Sequence, residues 1–451
     1  MKNRNTYAVG ALIGMCFLLT GSEYISWWLY GLPDFFDNTA VDLLSEGAGY
    51  LFQVAGLLLF AFFVKKKAEK ALDKKIFAGL VLLDVSFTSL GMFAFSAFSC
   101  VLFGMAMNLL HGAIAGYYLT RLAQYVPQQN CGMVFGLAYA FGSIGSWLLS
   151  LLFGGSFLGS PYIIVIYALM AALIIGIDAK GMPAILEEDE PADAFHFSQA
   201  ILPLAGIVVV LLSLTKGLGF YFPVSDQISG TVSALFTRAF YAFGLILAGY
   251  INDRNRKYGA ICCLCALVFP FISFAFMQDA SIQVFLWIMA YVFFGFFSVY
   301  RVVTFVDFAQ KKHSLLWLAG FGLMYGRIGD ALSAFGGVLL GNSSVCLILI
   351  TALLFIMTIL LFFRFYNRTY ASAMPPEKNM ETLLHDFEEN YHLSAREIEV
   401  FHLIISGRSN SEIASDLYIA DSTVKFHVKN ILKKAECSNR TELIAKFKKE
   451  S

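Results

Sequence analysis

Residues 393–447 of this chain read LSAREIEVFHLIISGRSNSEIASDLYIADSTVKFHVKNILKKAECSNRTELIAKF, and this stretch predicts a complete small helical fold. Two Ser-x-x-Glu sequences begin at Ser394 and Ser409, and each has the form of a capping box that opens a helix. Gly407 lies where the first helix should end in a left-handed residue, just after Ser406. Asp421 should cap a third helix that runs to residue 434.

A fourth helix should start after Asn439, and residues 418–420 should form a tight turn between the second and third helices. Two helices joined by such a turn make a helix-turn-helix, whose second helix lies in the major groove of DNA. Ten apolar residues recur at helical spacing and should form one small core: Ile398, Phe401, Ile405, Ile413, Leu417, Val424, Val428, Ile431, Leu443 and Phe447.

The charge of this stretch is uneven. Residues 422–449 contain eight Lys or Arg against two acids, Glu436 and Glu442, whereas residues 393–421 are more acidic. The basic residues are Lys425, Lys429, Lys433, Lys434, Arg440, Lys446, Lys448 and Lys449. A one-sided basic surface is typical of a protein that binds nucleic acid.

At this point the stretch closely resembles the LuxR/FixJ/NarL-type DNA-binding domain. The matching positions are Leu393, Arg396, Glu397, Glu399, Val400, Gly407, Asn410, Glu412, Ile413, Ala414, Leu417, Ile419, Thr423, Val424, Lys425, His427, Asn430, Ile431, Asn439, Arg440 and Thr441. Glu442 departs from the pattern, because many members have a small residue there.

The resemblance implies a role for each candidate DNA-binding residue. Lys425, Phe426 and Lys429 are expected to face the bases. Ser422, Thr423 and Asn430 are expected to lie near phosphates, with Lys433 on the same basic helix. The fourth helix is expected to help form a dimer on DNA.

The rest of the chain has a different composition. The 451 residues are 58% hydrophobic and 14% charged, whereas soluble proteins carry about 25% charged residues. Twelve apolar stretches meet the length of about 20 residues that a bilayer-spanning helix needs. They cover residues 7–30, 46–64, 76–95, 98–119, 131–153, 160–178, 201–223, 232–251, 258–277, 282–306, 314–339 and 344–365.

Positive charges predict the topology of these stretches. Alternate loops carry Lys2, Arg4, Lys65, Lys66, Lys67, Lys70, Lys74, Lys75, Arg121, Lys180, Arg254, Arg256, Lys257, Lys311, Lys312 and Arg368, whereas the intervening loops have no Lys or Arg. Lys and Arg are retained on the cytoplasmic side. Both termini are therefore predicted to be cytoplasmic, in a multi-pass protein of the bacterial cytoplasmic (inner) membrane.

The layout of six plus six stretches, separated by an acidic loop at residues 187–190, resembles the major facilitator superfamily. Residues 249–257, GYINDRNRK, resemble that family's loop motif, with Arg256 in place of a glycine. Residues 64–75 in the first half keep only the positive charge. The predicted fold class is thus all-α: a twelve-span bundle over residues 1–366, a linker over 367–390 and a four-helix domain over 391–451.

Ionisable residues within membrane spans are costly and suggest binding sites or internal ion pairs. Glu23 and Lys216 each lie about 15 residues into the first span of their half, so they are expected to form an ion pair or to flank a ligand. His111 is either a packing residue or a proton relay. Arg327 and Asp330 are expected to neutralise each other, and Arg238 completes the candidate ligand-binding set with Glu23, Lys216, His111 and Arg327.

Cys262, Cys263 and Cys265 form a cluster inside an apolar stretch, which favours packing over a metal site. We therefore expect no metal, no cofactor and no catalytic residue, and hence no enzyme. The expected partners are promoter DNA, the lipid bilayer, an unidentified small molecule and a second copy of the chain on DNA, with RNA polymerase as a further candidate.

Three functions remain open from the sequence. The first is a one-component transcription regulator that senses a small molecule in its membrane domain. The second is a major-facilitator-type transporter with a DNA-binding regulatory tail. The third is a regulator that is only tethered to the membrane.

Overall fold

The computed structural model describes residues 2–152, 157–179, 201–222, 237–276, 280–341, 343–371 and 380–450, and their regular secondary structure is helical. Contacts divide the chain into two compact units, residues 1–368 and 369–451. The acidic loop at residues 187–190 and the Pro375-Pro376 pair lie outside the described residues.

The first unit contains twelve described α-helices of at least 17 residues. They are α1 (Lys2–Ser26), α2 (Tyr50–Ala71), α3 (Lys74–Met92), α4 (Ala97–Tyr125), α5 (Cys131–Leu151), α6 (Ile163–Ala179), α7 (Ile201–Gly219), α8 (Thr237–Arg254), α9 (Arg256–Ala275), α10 (Ala280–Ala309), α11 (Phe321–Leu340) and α12 (Ser344–Tyr366). Each predicted apolar stretch overlaps one of them. A π-helical segment, Leu43–Gly49, leads directly into α2.

Among the described residues, eight helical segments are long and apolar enough to cross a membrane, and they overlap α1–α5, α7, α10 and α12. α6 is apolar but shorter. The helices α8 and α11 carry internal charges, such as Asp253 in α8 and Arg327 and Asp330 in α11, which lower their hydropathy.

The packing in the first unit repeats every six helices. α1 packs on α5 as α7 packs on α11, and α2 packs on α4 as α8 packs on α10. α2 also contacts α11, and α5 contacts α8, so these two pairings join the two sets of six helices.

Glycines allow the closest of these crossings. A Cβ at Gly56 of α2 would lie 1.9 Å from the carbonyl oxygen of Leu109 in α4. A Cβ at Gly244 of α8 would lie 2.1 Å from the carbonyl oxygen of Val292 in α10. Small residues at a crossing let two backbones approach closely, which is how helices pack when lipid supplies no hydrophobic driving force.

The second unit contains α13 (Met380–Asn390), α14 (Ala395–Ile405), α15 (Asn410–Asp416), α16 (Asp421–Lys434) and α17 (Arg440–Glu450). Its core includes all ten of the predicted apolar residues, six of them buried and four partly buried. The core also includes Phe387 of α13, which is 2% exposed and stacks on Phe401 with ring centroids 4.7 Å apart. The sequence placed α13 in the linker, yet it packs on this core.

The predicted capping boxes open α14 and α15. The Ser394 N–H donates to Glu397 Oε2 at 2.8 Å, and the Ser409 N–H donates to Glu412 Oε2 at 2.7 Å. Asn439 Oδ1 accepts the Glu442 N–H at 2.9 Å, as a cap of α17 should. The prediction that Asp421 caps α16 was wrong: Ala420 occupies the N-cap position, and Asp421 is the first helical residue.

Candidate nucleic-acid interface and interior cavity

The helix α16 has one buried face and one exposed face. Val424 and Ile431 are fully buried in the core and fix the rotation of the helix. Five of the candidate DNA-binding residues are exposed: Ser422, Lys425, Phe426, Lys429 and Lys433. Thr423 and Asn430 are half-buried. The large apolar side chain of Phe426 is 61% exposed.

Lys425, Lys429 and Lys433 are spaced four residues apart, so they lie along one side of α16 and form a stripe that we call the lysine stripe. The Lys425 Nζ lies 2.7 Å from Asp421 Oδ2, one turn earlier, so its charge is partly neutralised. No ion pair involves Lys429 or Lys433 within the described part of the chain. The two later lysines are therefore the more available cations.

Three basic residues that the sequence counted in the basic surface are used inside the domain. The Lys434 Nζ lies 2.6 Å from Glu397 Oε2 and also donates to the His392 carbonyl. The Lys446 Nζ donates to the Ala435 carbonyl at 2.7 Å. Arg440 donates to the carbonyls of Ile404 and Arg408. The side chains of Lys448 and Lys449 lie outside the described residues.

A family described as "Bacterial regulatory proteins, luxR family" matches residues 391–447. The C-terminal unit carries a LuxR-family helix-turn-helix domain. Similar proteins include the uncharacterized transcriptional regulatory protein YhcZ of Bacillus subtilis, 47% identical over 55 residues, which are 12% of this chain and 26% of YhcZ. The transcriptional regulatory protein LiaR of Bacillus subtilis is 46% identical over 50 residues, 11% of this chain and 24% of LiaR.

The response regulator protein VraR of Staphylococcus aureus is 50% identical over 52 residues, 12% of this chain and 25% of VraR. The chain thus spans about a quarter of the length of these relatives. These similarities cover the LuxR-family domain.

The first unit contains a cavity of about 570 Å³ that is lined by both sets of six helices. Its walls are rich in aromatic and ionisable side chains. The wall residues from the first half of the unit include Tyr24, Glu46, Tyr50, His111 and Tyr139, and those from the second half include Lys216, Tyr241, Arg301, Arg327 and Asp330.

Asp330 is the centre of the charged wall. The Lys216 Nζ lies 3.2 Å from Asp330 Oδ1, and the Arg301 Nη1 lies 3.4 Å from Asp330 Oδ2. The Arg327 Nη1 is more distant, at 3.9 Å from the same oxygen. The predicted pairing of Arg327 with Asp330 is present, but Asp330 is shared among three cations.

These cations retain capacity to bind a ligand. The Nε atoms of Arg301 and Arg327 have no hydrogen-bond partner among the described residues. The Arg327 guanidinium lies 4.0 Å from the centroid of the Tyr50 ring, a distance typical of a cation–π contact. Buried donors without partners are rare in folded proteins, and both arginines line the cavity.

Glu23 and Lys216 do not pair with each other. The Glu23 Oε2 lies 3.1 Å from His111 Nε2, and Lys216 pairs with Asp330. Lys216 and His111 line the cavity, whereas Glu23 is fully buried behind it. Arg238 lies at the start of α8, and its side chain is outside the described residues.

Sequence reasoning missed the tyrosines and Glu46 of the cavity wall. Tyrosine is common near membrane interfaces, so its type alone gave no signal. Asp84 lies beside this wall, with its Oδ1 3.5 Å from His111 Nε2. Glu23, Asp84 and His111 lie in α1, α3 and α4, and they meet only because of how these three helices are rotated. The sequence does not show those rotations.

Proposed function

We propose that this protein is a membrane-bound one-component transcription regulator. It binds promoter DNA through the LuxR-family domain and responds to a small molecule in the cavity of its first unit. The observation that carries the proposal is that one chain combines a LuxR-family domain, with an exposed lysine stripe, and helices long and apolar enough to cross a membrane.

In this proposal residues 1–366 form a major-facilitator-like sensor domain with twelve spans. The repeated packing of α1 with α5 and α7 with α11 supports that arrangement, since the family's halves are structural repeats. The loop after α8 supports it too. Asp253 accepts the backbone N–H groups of Gly132 and Met133, both at 2.7 Å, at the start of α5.

Arg256, which replaces the motif's glycine, joins the same network. It binds Asp253 at 3.0 Å and Asp307 of α10 at 2.9 Å. A carboxylate at a helix N-terminus is stabilised by the free N–H groups and the helix dipole. The cytoplasmic ends of α5, α8 and α10 are thereby held together, with both termini on the cytoplasmic side of the bacterial inner membrane.

Residues 367–390 connect the sensor to the DNA-binding domain at 391–451, and α13 within this segment docks on that domain. Ligand control requires that the small molecule binds the DNA-competent and DNA-incompetent states with different affinity. Lys216, Arg327 and Asp330 are the residues that we expect to contact it. Binding as a homodimer on DNA, with contact to RNA polymerase, completes the proposal.

The test is genome-wide DNA occupancy by the tagged, full-length, membrane-resident protein beside a Lys425→Ala, Lys429→Ala double variant. We expect discrete promoter peaks that the double variant loses. Lys311→Ala, Lys312→Ala is the matched control, because it removes two lysines from the first unit and should keep the peaks. Peaks that survive in the double variant, or no peaks under any growth condition, would contradict the proposal.

The cavity walls also favour a second function, a transporter with a DNA-binding regulatory tail. Helices of both halves line the cavity, as alternating access requires. Once promoter targets suggest a compound, uptake into vesicles distinguishes the two functions. If the protein is a regulator, Lys216→Gln changes the expression of target genes, and the protein takes up no compound. If it is a transporter, the protein takes up the compound and Lys216→Gln abolishes this uptake. A regulator that is only tethered shows neither effect.

A further inference from the structure

Glu23, Asp84 and His111 form a buried cluster that the proposed function does not use. The three side chains come from α1, α3 and α4, and their exposed fractions are 0%, 0% and 6%. One ligand atom of each lies within 4.8 Å of the other two. In the described part of the chain, this is the group of His, Cys, Asp and Glu side chains whose atoms are close enough to hold a metal ion.

The two carboxyl groups of this cluster lie close together and face few hydrogen-bond donors. Both oxygens of Asp84 and the Oε1 of Glu23 have no hydrogen-bond partner among the described residues. An unpaired buried carboxylate is far more costly than an unpaired neutral group. The two acids share one imidazole, His111 Nε2, at 3.1 Å from Glu23 and 3.5 Å from Asp84.

The spacing suits a small divalent ion. Ligand atoms around a tetrahedral ion bonded at about 2.1 Å lie about 3.4 Å apart, and the two distances from His111 fall on either side of that value. Two carboxylates and a neutral imidazole would make an electrically neutral site with a divalent ion, which suits burial among apolar helices. No lysine or arginine forms an ion pair with Glu23 or Asp84 within the described residues.

We propose that Glu23, Asp84 and His111 form a binding site for a divalent transition-metal ion such as Zn²⁺ or Mn²⁺. The imidazole nitrogen favours these ions over Mg²⁺ and Ca²⁺, which prefer oxygen ligands. His111 lines the cavity, so the ion enters from the cavity past this side chain, and water from the cavity completes its coordination. The bound ion joins α1, α3 and α4.

This proposal reverses the expectation from the sequence that the chain holds no metal, and it does not depend on DNA binding.

The test uses the full-length protein, purified in detergent with its affinity tag removed, stripped with a chelator and then dialysed against Zn²⁺ or Mn²⁺. Metal is counted by mass spectrometry, and thermal unfolding is followed with and without added ion. We expect one ion per chain and a melting temperature raised by the ion.

Glu23→Gln and Asp84→Asn should each lose the ion and the thermal shift. Glu46→Gln is the matched control, because it neutralises another carboxylate of the same half and should keep both. Stoichiometric metal retained by both cluster variants, or no metal in the unsubstituted protein, would overturn the proposal.

If the variants fail to fold, a second measurement on the unsubstituted protein still tests the proposal. X-ray absorption of the Zn²⁺-loaded unsubstituted protein reports the ligand atoms directly. We expect a shell of nitrogen and oxygen with the outer scattering of an imidazole. A sulfur shell would place the ion at the cysteines and would equally overturn the proposal.

Discussion

At the residue scale, Lys429 and Lys434 lie on the same helix, α16, but have different surroundings. Lys429 is exposed and makes no ion pair within the described residues, whereas Lys434 lies 2.6 Å from Glu397 Oε2. A sequence pattern cannot separate these lysines, because the distinction depends on Glu397, 37 positions earlier in the chain. Lys429 is therefore available to contact DNA, whereas Lys434 links α16 to α14 within the domain.

We therefore predict that two alanine substitutions in the fragment 380–451 affect different properties, DNA binding in one case and stability in the other. Lys429→Ala should weaken binding to a target promoter by about 1–3 kcal/mol and lower the salt dependence of binding, with unchanged stability. Lys434→Ala should lower the free energy of unfolding by about 1–2 kcal/mol. Fluorescence titration and urea unfolding measure the two quantities. Equal loss of DNA affinity in both folded variants would argue against these assignments.

Glu397 gives the domain a dependence on pH. Burial raises the pKa of Glu397, but hydrogen bonds from Lys434 and Ser394 outweigh burial, so the pKa is lowered overall. A carboxylate with a lowered pKa stabilises the folded state above its ordinary pKa, and this contribution is lost as the pH falls through the folded value.

We predict that the free energy of unfolding of fragment 380–451 decreases below about pH 4. Glu397→Gln should be less stable at neutral pH and should lose part of this acid dependence. The remainder comes from Glu412 and Glu442, whose pKa values are lowered by hydrogen bonds from Ser409 and Ser438. Urea unfolding at several pH values measures the slope. An identical slope in Glu397→Gln would show that the Lys434 contact contributes nothing.

At the element scale, four of the five described helices of the second unit end in the same way. Each has a left-handed residue two positions after its last helical residue: His392, Gly407, Tyr418 and Glu436, with φ of 49°, 86°, 53° and 54°. The following N–H bonds back to a carbonyl five residues earlier, as from Arg408 to Leu403 and from Ile419 to Ala414. This pattern is the Schellman motif.

Only one of these four ends was predictable. Gly407 gave a signal because glycine adopts the left-handed region at little cost, whereas His392, Tyr418 and Glu436 are residues that avoid it. Their conformation follows from the next helix having to return to the core. The same limit applied to α13, whose Phe387 looked like part of a linker until its packing on Phe401 was known.

We predict that Tyr418→Gly stabilises fragment 380–451, because it removes the left-handed strain of about 1 kcal/mol while its side chain, 94% exposed, leaves little packing to lose. Gly407→Ala should destabilise the fragment by a similar amount, about 1 kcal/mol. Thermal unfolding of both variants provides the measurement. The prediction fails if Tyr418→Gly lowers the melting temperature.

At the scale of the whole molecule, the sequence predicted where the long helices lie better than it predicted which side chains meet. Apolar length and turns are local, so each predicted stretch overlaps an observed helix. The partner of Glu23 was not local. Symmetry between the two halves suggested Lys216, but helix rotation directs Glu23 to His111 and Lys216 to Asp330.

The proposed twelve-span topology requires that the bundle accommodate the charges of α8, α9 and α11. Among the described residues, these three helices and the short α6 fall outside the eight segments that are long and apolar enough to span by themselves. In α11, Asp330 pairs with Lys216 and Arg301. At the junction of α8 and α9, Arg256 pairs with Asp253 and Asp307. Neutralised charges inside a bundle are compatible with a membrane span.

We predict that all twelve helices span, which a reporter fused after Lys312 tests decisively. If α6, α8, α9 and α11 did not cross, the loop after α10 would face outward, whereas twelve spans place it in the cytoplasm. Fusions after Lys75 and Ser96 serve as the cytoplasmic and outward controls, because both topologies agree on them. Fluorescence from a cytoplasmic reporter, without alkaline phosphatase activity, is expected after Lys312. The reverse pattern would remove the twelve-span arrangement and, with it, the resemblance to the major facilitator superfamily, while leaving the DNA-binding domain at a cytoplasmic C-terminus.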